Sequence, residues 1–216
     1  MQIDAKNIIS NNEVILTDIQ YFGTINWFKL LFNYSNIQFE QYETYQKMSF
    51  RNRCIIAGSN GLINLSVPLA KGRGQKELTK DVRISYSEKW QEQHWRSIRS
   101  CYGNSPFFEF YEEGVKQLFN IQPVFLFDYN LQIFDWVKAR LKYSGKLSVS
   151  ENYLAHTIPS TVDARNSMLP KSYDQQDLNV VYHQVFEDKI GFKPNLSILD
   201  LLFCNGPSSK AILMAE

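Results

Sequence analysis

The chain has few cysteines and almost no net charge, and each shortage excludes a class of protein. The three cysteines, Cys54, Cys101 and Cys204, are odd in number and lie far apart. That pattern is typical of a reducing compartment and excludes a disulfide scaffold. Lys and Arg number 23 against 22 Asp and Glu, so no overall field attracts nucleic acid or an anionic membrane. Any anion site must therefore be local.

The sequence also lacks the segments that direct a chain into or across a membrane. No apolar run approaches the ~20 residues that span a bilayer. Asp4, Asn7 and Glu13 interrupt the apolar residues at the start, unlike the basic and then apolar layout of a secretory signal. We therefore expect a soluble cytoplasmic protein with no membrane span.

Metal-binding patterns are absent as well. The histidines are His94, His156 and His183, no two of them lie at metal-ligand spacing, and there is no Cys-x-x-Cys. We therefore predict no metal site. The sequence identifies no cofactor.

Aromatic residues, in contrast, are plentiful. They make up 14% of the 216 residues, most of them Phe and Tyr, which excludes a disordered chain and supplies a substantial core. This length suits one domain. We therefore treat residues 1–216 as a single domain with a helical portion around residues 88–143.

The N-terminal part predicts a strand, a helix and a second strand. Residues 14–18, which begin with three apolar side chains, indicate a short strand. Residues 26–35 place large side chains at helical spacing, and residues 37–42 alternate like a strand. Such a unit favours two parallel strands joined by a crossover helix. The loop at residues 19–24 follows the first strand and is therefore the expected ligand mouth.

A β-hairpin is predicted next. Residues 53–57 and 62–69 flank Gly58-Ser59-Asn60-Gly61, where Asn-Gly supplies the positive φ angles of a tight turn. Residues 82–86 alternate in the same way and predict a further strand.

The remaining chain predicts mainly helices. The period changes to about 3.6 over residues 88–143, which indicates a helical layer. Residues 147–177 indicate a long loop with one short strand, and residues 180–186 a strand. Ser197-x-x-Asp200 is a capping box that opens a final helix. The predicted fold class is α/β: a mixed sheet with an N-terminal β-α-β unit and a hairpin, packed with a helical layer.

Two cationic segments are candidate anion sites. Lys47, Arg51 and Arg53 would point to one side of an extended chain, a row suited to a diphosphate or carboxylate, although a sheet edge protected by cations has the same pattern. Residues 71–76 combine three cations with two glycines that let the backbone approach a phosphate. They do not form a P-loop, and a solvated loop without function explains them equally well.

Other polar residues have a structural and a functional interpretation. His94 lies on a predicted helix face, where a hydrogen-bonded structural histidine is the commoner case. His183 lies in a predicted strand and is a candidate general base. Asn195 and Asp200 flank the start of the final helix, where capping alone accounts for them. The cysteines lie among apolar neighbours, which favours inert buried thiols.

Four segments carry a resemblance to a known family. Tyr21-Phe22 and Phe28 fit its N-terminal pattern, in which Asp18-Ile19 stand where the family has Gln-Pro. Residues 47–53 fit its Lys-x-Ser-aromatic-x-Asn-Arg pattern without a gap. The other matching positions are Trp90, His94, Ser97, Ile98, Tyr102, Pro106, Phe107, Phe108 and residues 182–207. Over most of its length the chain resembles the WbqC-like family of bacteria.

The resemblance implies a pathway and a type of reaction. Genes of that family lie among O-antigen and surface-polysaccharide clusters, and a glycine transferase role has been proposed for it. We therefore expect a transferase of surface-polysaccharide biosynthesis that moves an aminoacyl (glycine) or other acyl group to a sugar nucleotide. The alternatives are a nucleotide-handling α/β enzyme and a non-catalytic module that binds glycan precursors. Longer family members carry an extra stretch that this chain lacks around residues 147–177.

Residue patterns and resemblance together give a predicted site. The catalytic residue is His183, and the partner is a phosphorylated small molecule or sugar nucleotide. The predicted substrate-binding residues are Tyr21, Lys47, Arg51, Asn52, Arg53, Lys71, Arg73, His94, Asn195 and Asp200.

Overall fold

A computed structural model describes residues 13–72, 74–153, 160–174 and 180–215. Its main sheet has four parallel strands in the order β5-β2-β1-β6. The strands are β1 (Val14–Thr17), β2 (Asn36–Phe39), β5 (Lys146–Val149) and β6 (Thr161–Asp163). Helix α1 (Ile25–Phe32) connects β1 to β2. The predicted N-terminal β-α-β unit with parallel strands is therefore confirmed.

The two outer strands of this sheet lie where the sequence predicts a long loop. β5 pairs with β2, and β6 pairs with β1. The prediction of a loop with one short strand over residues 147–177 is therefore wrong. These strands have only four and three residues. Such short segments are too brief to show the alternation that identifies a strand in sequence.

The hairpin forms a sheet of its own. Strand β3 (Arg53–Gly58) pairs antiparallel with β4 (Gly61–Ser66), and neither joins the parallel sheet. The hairpin is confirmed, but its two loop residues are Ser59 and Asn60. Gly61 closes the turn with φ 129°, a conformation that favours glycine.

The helical layer is confirmed at its predicted place. It consists of α2 (Trp90–Tyr102), α3 (Phe108–Asn120) and α4 (Leu126–Arg140). Residues 82–86 make only isolated bridges, Ile84 to Leu69 and Arg83 to Phe125, and not the predicted strand. The mixed α/β class is therefore confirmed, with the hairpin separate from the main sheet.

The C-terminal part is helical. Its helices are α5 (Glu187–Ile190), α6 (Ile198–Asn205) and α7 (Ser209–Met214). The predicted strand at residues 180–186 is wrong, because the described residues there make no strand pairing. Ser197 caps α6 as predicted and accepts a hydrogen bond from the Leu199 N–H.

Aromatic contacts join the sheet to the helices. Trp27 of α1 stacks on Phe39 of β2 and meets Phe134 of α4 edge to face. Phe28 stacks on the same Phe134 at 5.8 Å. Each such pair adds about 0.5–1.5 kcal/mol beyond the area that it buries. This packing fixes α1 and α4 on the sheet. In the described part of the chain, no helix is both long and apolar enough to cross a membrane.

Candidate functional site

Polar side chains gather at the carboxyl edge of the parallel sheet. Asp18 follows β1, Glu40 follows β2, Ser150 follows β5, and Arg165 lies two residues after β6. Ser150 Oγ donates to Glu40 Oε1 at 2.7 Å, which joins the ends of two neighbouring strands. Ligands of open parallel sheets bind at this edge.

The strand order marks one point on this edge. The chain runs from β1 to β2 on one side, whereas it reaches β6 on the other side of β1 only after β5. Connections that leave neighbouring strands in opposite directions open a crevice between their ends. That crevice lies between the ends of β1 and β6, where Asn166 N–H donates to Asp18 Oδ1 at 2.8 Å.

A buried arginine occupies the centre of this edge. The Arg51 side chain is fully buried and lies 3.7 Å from Asp18 Oδ2. It also makes an ion pair with Glu43 and donates to Asn166 Oδ1 at 2.9 Å. Its own carbonyl accepts a hydrogen bond from Asn130 of α4 at 2.7 Å. Arg51 is thus held at both its backbone and its guanidinium.

A second ion pair extends the first. Arg165 lies 3.5 Å from Glu40 and donates through Nε to Asp163 at 2.9 Å. We call the whole set the Arg51 cluster. Its members are Asp18, Glu40, Glu43, Arg51, Asp163, Arg165 and Asn166. When all are ionised, four carboxylates face two guanidinium groups, so the cluster is net negative.

Burial and pairing oppose each other at Glu43. Burial raises the pKa of Glu43, and Asp18 adds to that effect, while Arg51 lowers the pKa and does not fully offset the rise. For Arg51, burial lowers the pKa, but Asp18 and Glu43 outweigh it and the pKa is raised. Arg51 therefore stays a cation, and Glu43 is a stronger base than an ordinary glutamate.

Some polar atoms of this region are left without partners. Asp18 Oδ2, Gln20 Nε2 and Arg51 Nε are buried and have no hydrogen-bond partner among the described residues. Buried polar atoms without hydrogen-bond partners cost about 1–3 kcal/mol each and are uncommon in folded proteins. Of the two carboxylates that face Arg51, Glu43 is the more accessible, with 12% of its side chain exposed against 2% for Asp18.

The predicted cationic row has a different geometry. Residues 50–52 form a 3-10 turn, and Met48 has φ 57°, so the segment is not extended. The prediction that Lys47, Arg51 and Arg53 point to one side as on a strand is therefore wrong. Lys47 is exposed in a turn, Arg51 is buried, and Arg53 is half-buried at the start of β3.

Asn52 has well-defined partners within the protein. It accepts a hydrogen bond from Tyr45 Oη at 2.9 Å and donates to the Val67 carbonyl at 2.9 Å. These contacts tie the 3-10 turn to β4 and the residue beyond it. They hold Arg51 in place, since the two residues are adjacent.

Tyr21 and His94 meet in the core. Tyr21 Oη lies 2.9 Å from His94 Nδ1, and both side chains are buried. Burial lowers the pKa of His94 to about 4, against a hydrogen bond to the Ser66 backbone that raises it. The imidazole is therefore neutral at pH 7. Tyr21 N–H also donates to the Phe50 carbonyl at 2.9 Å, so this pair braces the loop after β1 against the turn that carries Arg51.

The remaining predicted residues lie outside the Arg51 cluster. Lys71 is exposed and pairs with Glu77 at 2.5 Å, and Arg73 lies outside the described residues. His183 is exposed, and its carbonyl accepts a hydrogen bond from Asn205 at 3.2 Å. No contact of the His183 side chain appears among the described residues.

Asn195 and Asp200 organise the start of α6. Asn195 has φ 52° and its amide joins Asn26 N–H, at 2.8 Å, to the Tyr173 carbonyl, at 2.6 Å. Asp200 accepts hydrogen bonds from Tyr102 Oη at 2.7 Å and Tyr182 Oη at 2.8 Å. Its carboxylate is thus directed to the tyrosines and not back to Ser197, as a reciprocal capping box requires.

We call the second set the Asp200 cluster. Its members are Tyr102, Tyr182, Gln184 and Asp200. Gln184 Nε2 donates to Tyr182 Oη at 2.8 Å. Burial raises the pKa of Asp200 to about 6, although both tyrosine hydrogen bonds lower it.

The members of the Arg51 cluster that were not predicted as site residues are Asp18, Glu40, Glu43, Asp163, Arg165 and Asn166. Glu40 lies inside the strand predicted at residues 37–42, and only the observed end of β2 at Phe39 places it at the edge of the sheet. Asp163, Arg165 and Asn166 depend on β6, which the sequence did not reveal. Glu43 lies in a loop, and nothing in its local sequence links it to Arg51.

A family comparison covers nearly all of these residues. A model described as the WbqC-like protein family matches residues 19–212. The chain belongs to the WbqC-like protein family. The WbqC-like range contains every member of the Arg51 cluster except Asp18, which directly precedes it. No curated protein and no solved structure matches the chain.

Proposed function

We propose that this WbqC-like protein is an enzyme of bacterial surface-polysaccharide biosynthesis and that its reaction takes place at the Arg51 cluster. The reaction transfers an aminoacyl or other acyl group to an amino or hydroxyl group of a sugar nucleotide. Family membership supports the pathway. The site chemistry supports the type of reaction.

The observation that carries the proposal is the position and state of Glu43. It is the accessible carboxylate beside Arg51, at the crevice where ligands of parallel sheets bind. Its raised pKa brings it closer to neutrality, where a general base works best. Acyl transfer to an amine or hydroxyl needs such a base, because the attacking group must lose a proton.

The proposed step uses Glu43 as that base. The acceptor nitrogen or oxygen bonds to the acyl carbon, the bond from that carbon to the donor's leaving group breaks, and Glu43 carries the proton from acceptor to leaving group. Arg51 and Asn166 hold the Glu43 carboxylate by its two oxygens. Lys47 is exposed in the turn that precedes Arg51, and we assign the substrate phosphates to it.

His183 is the competing base, and a pair of variants decides between them. We expect Glu43→Gln to lower turnover by ~10²-fold or more. The assay is turnover of sugar nucleotides with acyl donors, after calorimetry has identified the nucleotide that binds. Exposed Glu109 on α3 provides the matched control Glu109→Gln, for which normal turnover is expected. If His183→Gln loses turnover and Glu43→Gln keeps it, the base is His183.

A non-catalytic module that binds glycan precursors is the second candidate. It is favoured by the state of the thiols, because burial raises the pKa of Cys54, Cys101 and Cys204 and leaves no activated thiol nucleophile among the described residues. Binding of a sugar nucleotide with no turnover in the presence of every acyl donor would support the module and contradict the enzyme.

A further inference from the structure

A cavity of about 400 Å³ opens between α2 and α3, away from the Arg51 cluster. Its volume lies within the range of small-molecule sites, roughly 300–1,000 Å³. Three aromatic side chains, Tyr86, Trp95 and Phe119, form its apolar wall. Trp95 is half-buried and stacks on Phe108 at 6.1 Å, so its indole is held rigidly where it borders the cavity. We call this the aromatic cavity.

Polar side chains surround these rings, and most are uncommitted. Gln91 donates to the Ile121 carbonyl, and Glu92 pairs with Arg96. The other polar lining residues have no side-chain partner among the described residues. They are Glu88, Lys89, Lys116, Asn120 and Gln122. Hydrogen-bond donors and acceptors are therefore both available to a ligand.

The charges of the rim indicate what kind of ligand fits. Two carboxylates, Glu88 and Glu92, balance two lysines, Lys89 and Lys116. A phosphate or a nucleic acid would meet no net positive charge here. The combination of flat aromatic surface with amides and balanced charges suits a neutral ligand that has both an apolar face and several hydroxyl groups. A pyranose ring has both.

A larger cavity of about 540 Å³ lies at the amino ends of β2 and β5 and is also lined by aromatic residues, Phe32, Tyr34 and Tyr143. Two of its polar side chains, however, are bonded within the protein. Lys210 donates to the Lys142 carbonyl, and Tyr143 donates to the Tyr34 carbonyl. The aromatic cavity, in contrast, keeps its donors and acceptors available.

The aromatic cavity is in contact with the loop after β1. Phe119 packs on Phe22 of that loop at 5.9 Å and on His94 at 6.3 Å. We propose that the aromatic cavity binds a sugar ring of a neutral saccharide, apart from the group that reacts at the Arg51 cluster. This goes beyond the proposed function, because it concerns binding alone and does not depend on Glu43 as a base.

The test is an NMR titration of the indole N–H of Trp95 with four sugars. The probes are glucose, galactose, N-acetylglucosamine and lactose, and the spectrum of Trp95→Phe identifies the resonance. We expect a saturable shift with at least one sugar and a Kd on the order of 1 mM, as for weak single-ring binding.

Variants then connect the binding to the aromatic cavity. For these variants, the sugar titration is followed by the shifts of backbone amide resonances. We expect Trp95→Ala to weaken sugar binding at least tenfold and Asn120→Ala several-fold. Trp95→Phe keeps an aromatic ring and should retain most of the affinity, which separates a binding role from a folding role. The matched control is Gln117→Ala on the exposed side of α3, and no change is expected.

Several outcomes would overturn the proposal. These are no saturable shift with any of the four sugars, unchanged binding in Trp95→Ala, or displacement of the sugar by inorganic phosphate. Glu43→Gln should bind the sugars normally. If that variant loses turnover while sugar binding is never seen, the proposed function stands and this inference fails.

Discussion

The chain buries two groups of carboxylates, and it stabilises them by different means. In the Arg51 cluster, Asp18 and Glu43 face a guanidinium group. In the Asp200 cluster, the hydrogen bonds that the carboxylate accepts from described side chains come from tyrosine hydroxyls. Burial raises the pKa of Asp200 to about 6, whereas at Glu43 a cation opposes the same effect. The Arg51 cluster thus pairs opposite charges, whereas the Asp200 cluster connects separate segments of the chain through neutral donors.

The Asp200 cluster joins distant parts of the chain. Tyr102 ends α2, and Asp200 lies in α6. Gln184 Oε1 accepts a hydrogen bond from the Lys193 N–H at 2.8 Å. Every polar group in it has a partner inside the protein. In the Arg51 cluster, in contrast, Asp18 Oδ2 and Arg51 Nε have no hydrogen-bond partner among the described residues. A fully satisfied polar network rigidifies the core, whereas an unsatisfied buried group is costly.

The largest loss of stability should come from removing the guanidinium group of Arg51. Arg51→Met leaves Asp18 and Glu43 buried without it, and we expect a loss of about 3–5 kcal/mol in unfolding free energy. Denaturant titration at pH 7 measures it. Adding Glu43→Gln to Arg51→Met should recover part of the loss, because one of the two unpaired charges is gone.

The control for this prediction is an exposed ion pair. Arg99 lies 3.6 Å from Glu112 with most of its side chain exposed, so Arg99→Met should cost less than about 1 kcal/mol. Equal losses in Arg51→Met and Arg99→Met would show that the Arg51 cluster is not balanced by its cation.

The second largest effect is a pH dependence of the unfolding free energy that is caused by Asp200. Its pKa is 3.8 ordinarily and about 6 in the folded chain, so the native state binds more protons than the unfolded state between these values. Stability from this group therefore falls as pH rises from about 4 to about 6, by roughly 3 kcal/mol in total. Asp200→Asn cannot ionise, so its profile should lack this fall.

Unfolding free energies at pH 4, 5, 6 and 7 for both proteins test the prediction. The difference between the two profiles isolates Asp200, because the other titrating groups are common to both. His94 acts in the opposite direction, since its lowered pKa makes stability fall on acidification. Parallel profiles would mean that Asp200 titrates normally.

The smallest effect concerns one hydroxyl of the Asp200 cluster. Tyr182→Phe removes one of the two donors to Asp200 and should cost about 1.5–3 kcal/mol at pH 7, where the carboxylate is ionised. The cost should be smaller at pH 4. The measurement is the difference in unfolding free energy at the two pH values, and a cost independent of pH would contradict the hydrogen bond to a charged Asp200.

Local patterns were sufficient for part of the fold. The β-α-β unit, the hairpin and the helical layer have periods that are visible within ten to fifteen residues, and all three were predicted. Strands β5 and β6 are short and are fixed by pairing with β2 and β1. Their identity depends on distant partners, which no local pattern reveals.

The candidate site was predicted in part for the same reason. Arg51 was found because cations cluster around it and a family pattern covers it. Its partners Glu43 and Asn166 come from loops, and only the tertiary structure brings them to Arg51. The extended row failed because a positive φ at Met48 and a 3-10 turn redirect the segment, and neither leaves a periodic signal.

The outer strands β5 and β6 follow the helical layer in sequence, and this order affects how the chain folds. Phe39 pairs with Val149 and Leu16 with Asp163, so the sheet joins residues on either side of the whole helical layer. Contacts between residues so far apart in sequence form slowly, because a long loop must close first. During synthesis β1 and β2 leave the ribosome well before β5 and β6. Until those strands are made, the outer edges of β1 and β2 have no pairing partner. The Arg51 cluster, which needs Asn166, is therefore among the last parts of the molecule to assemble.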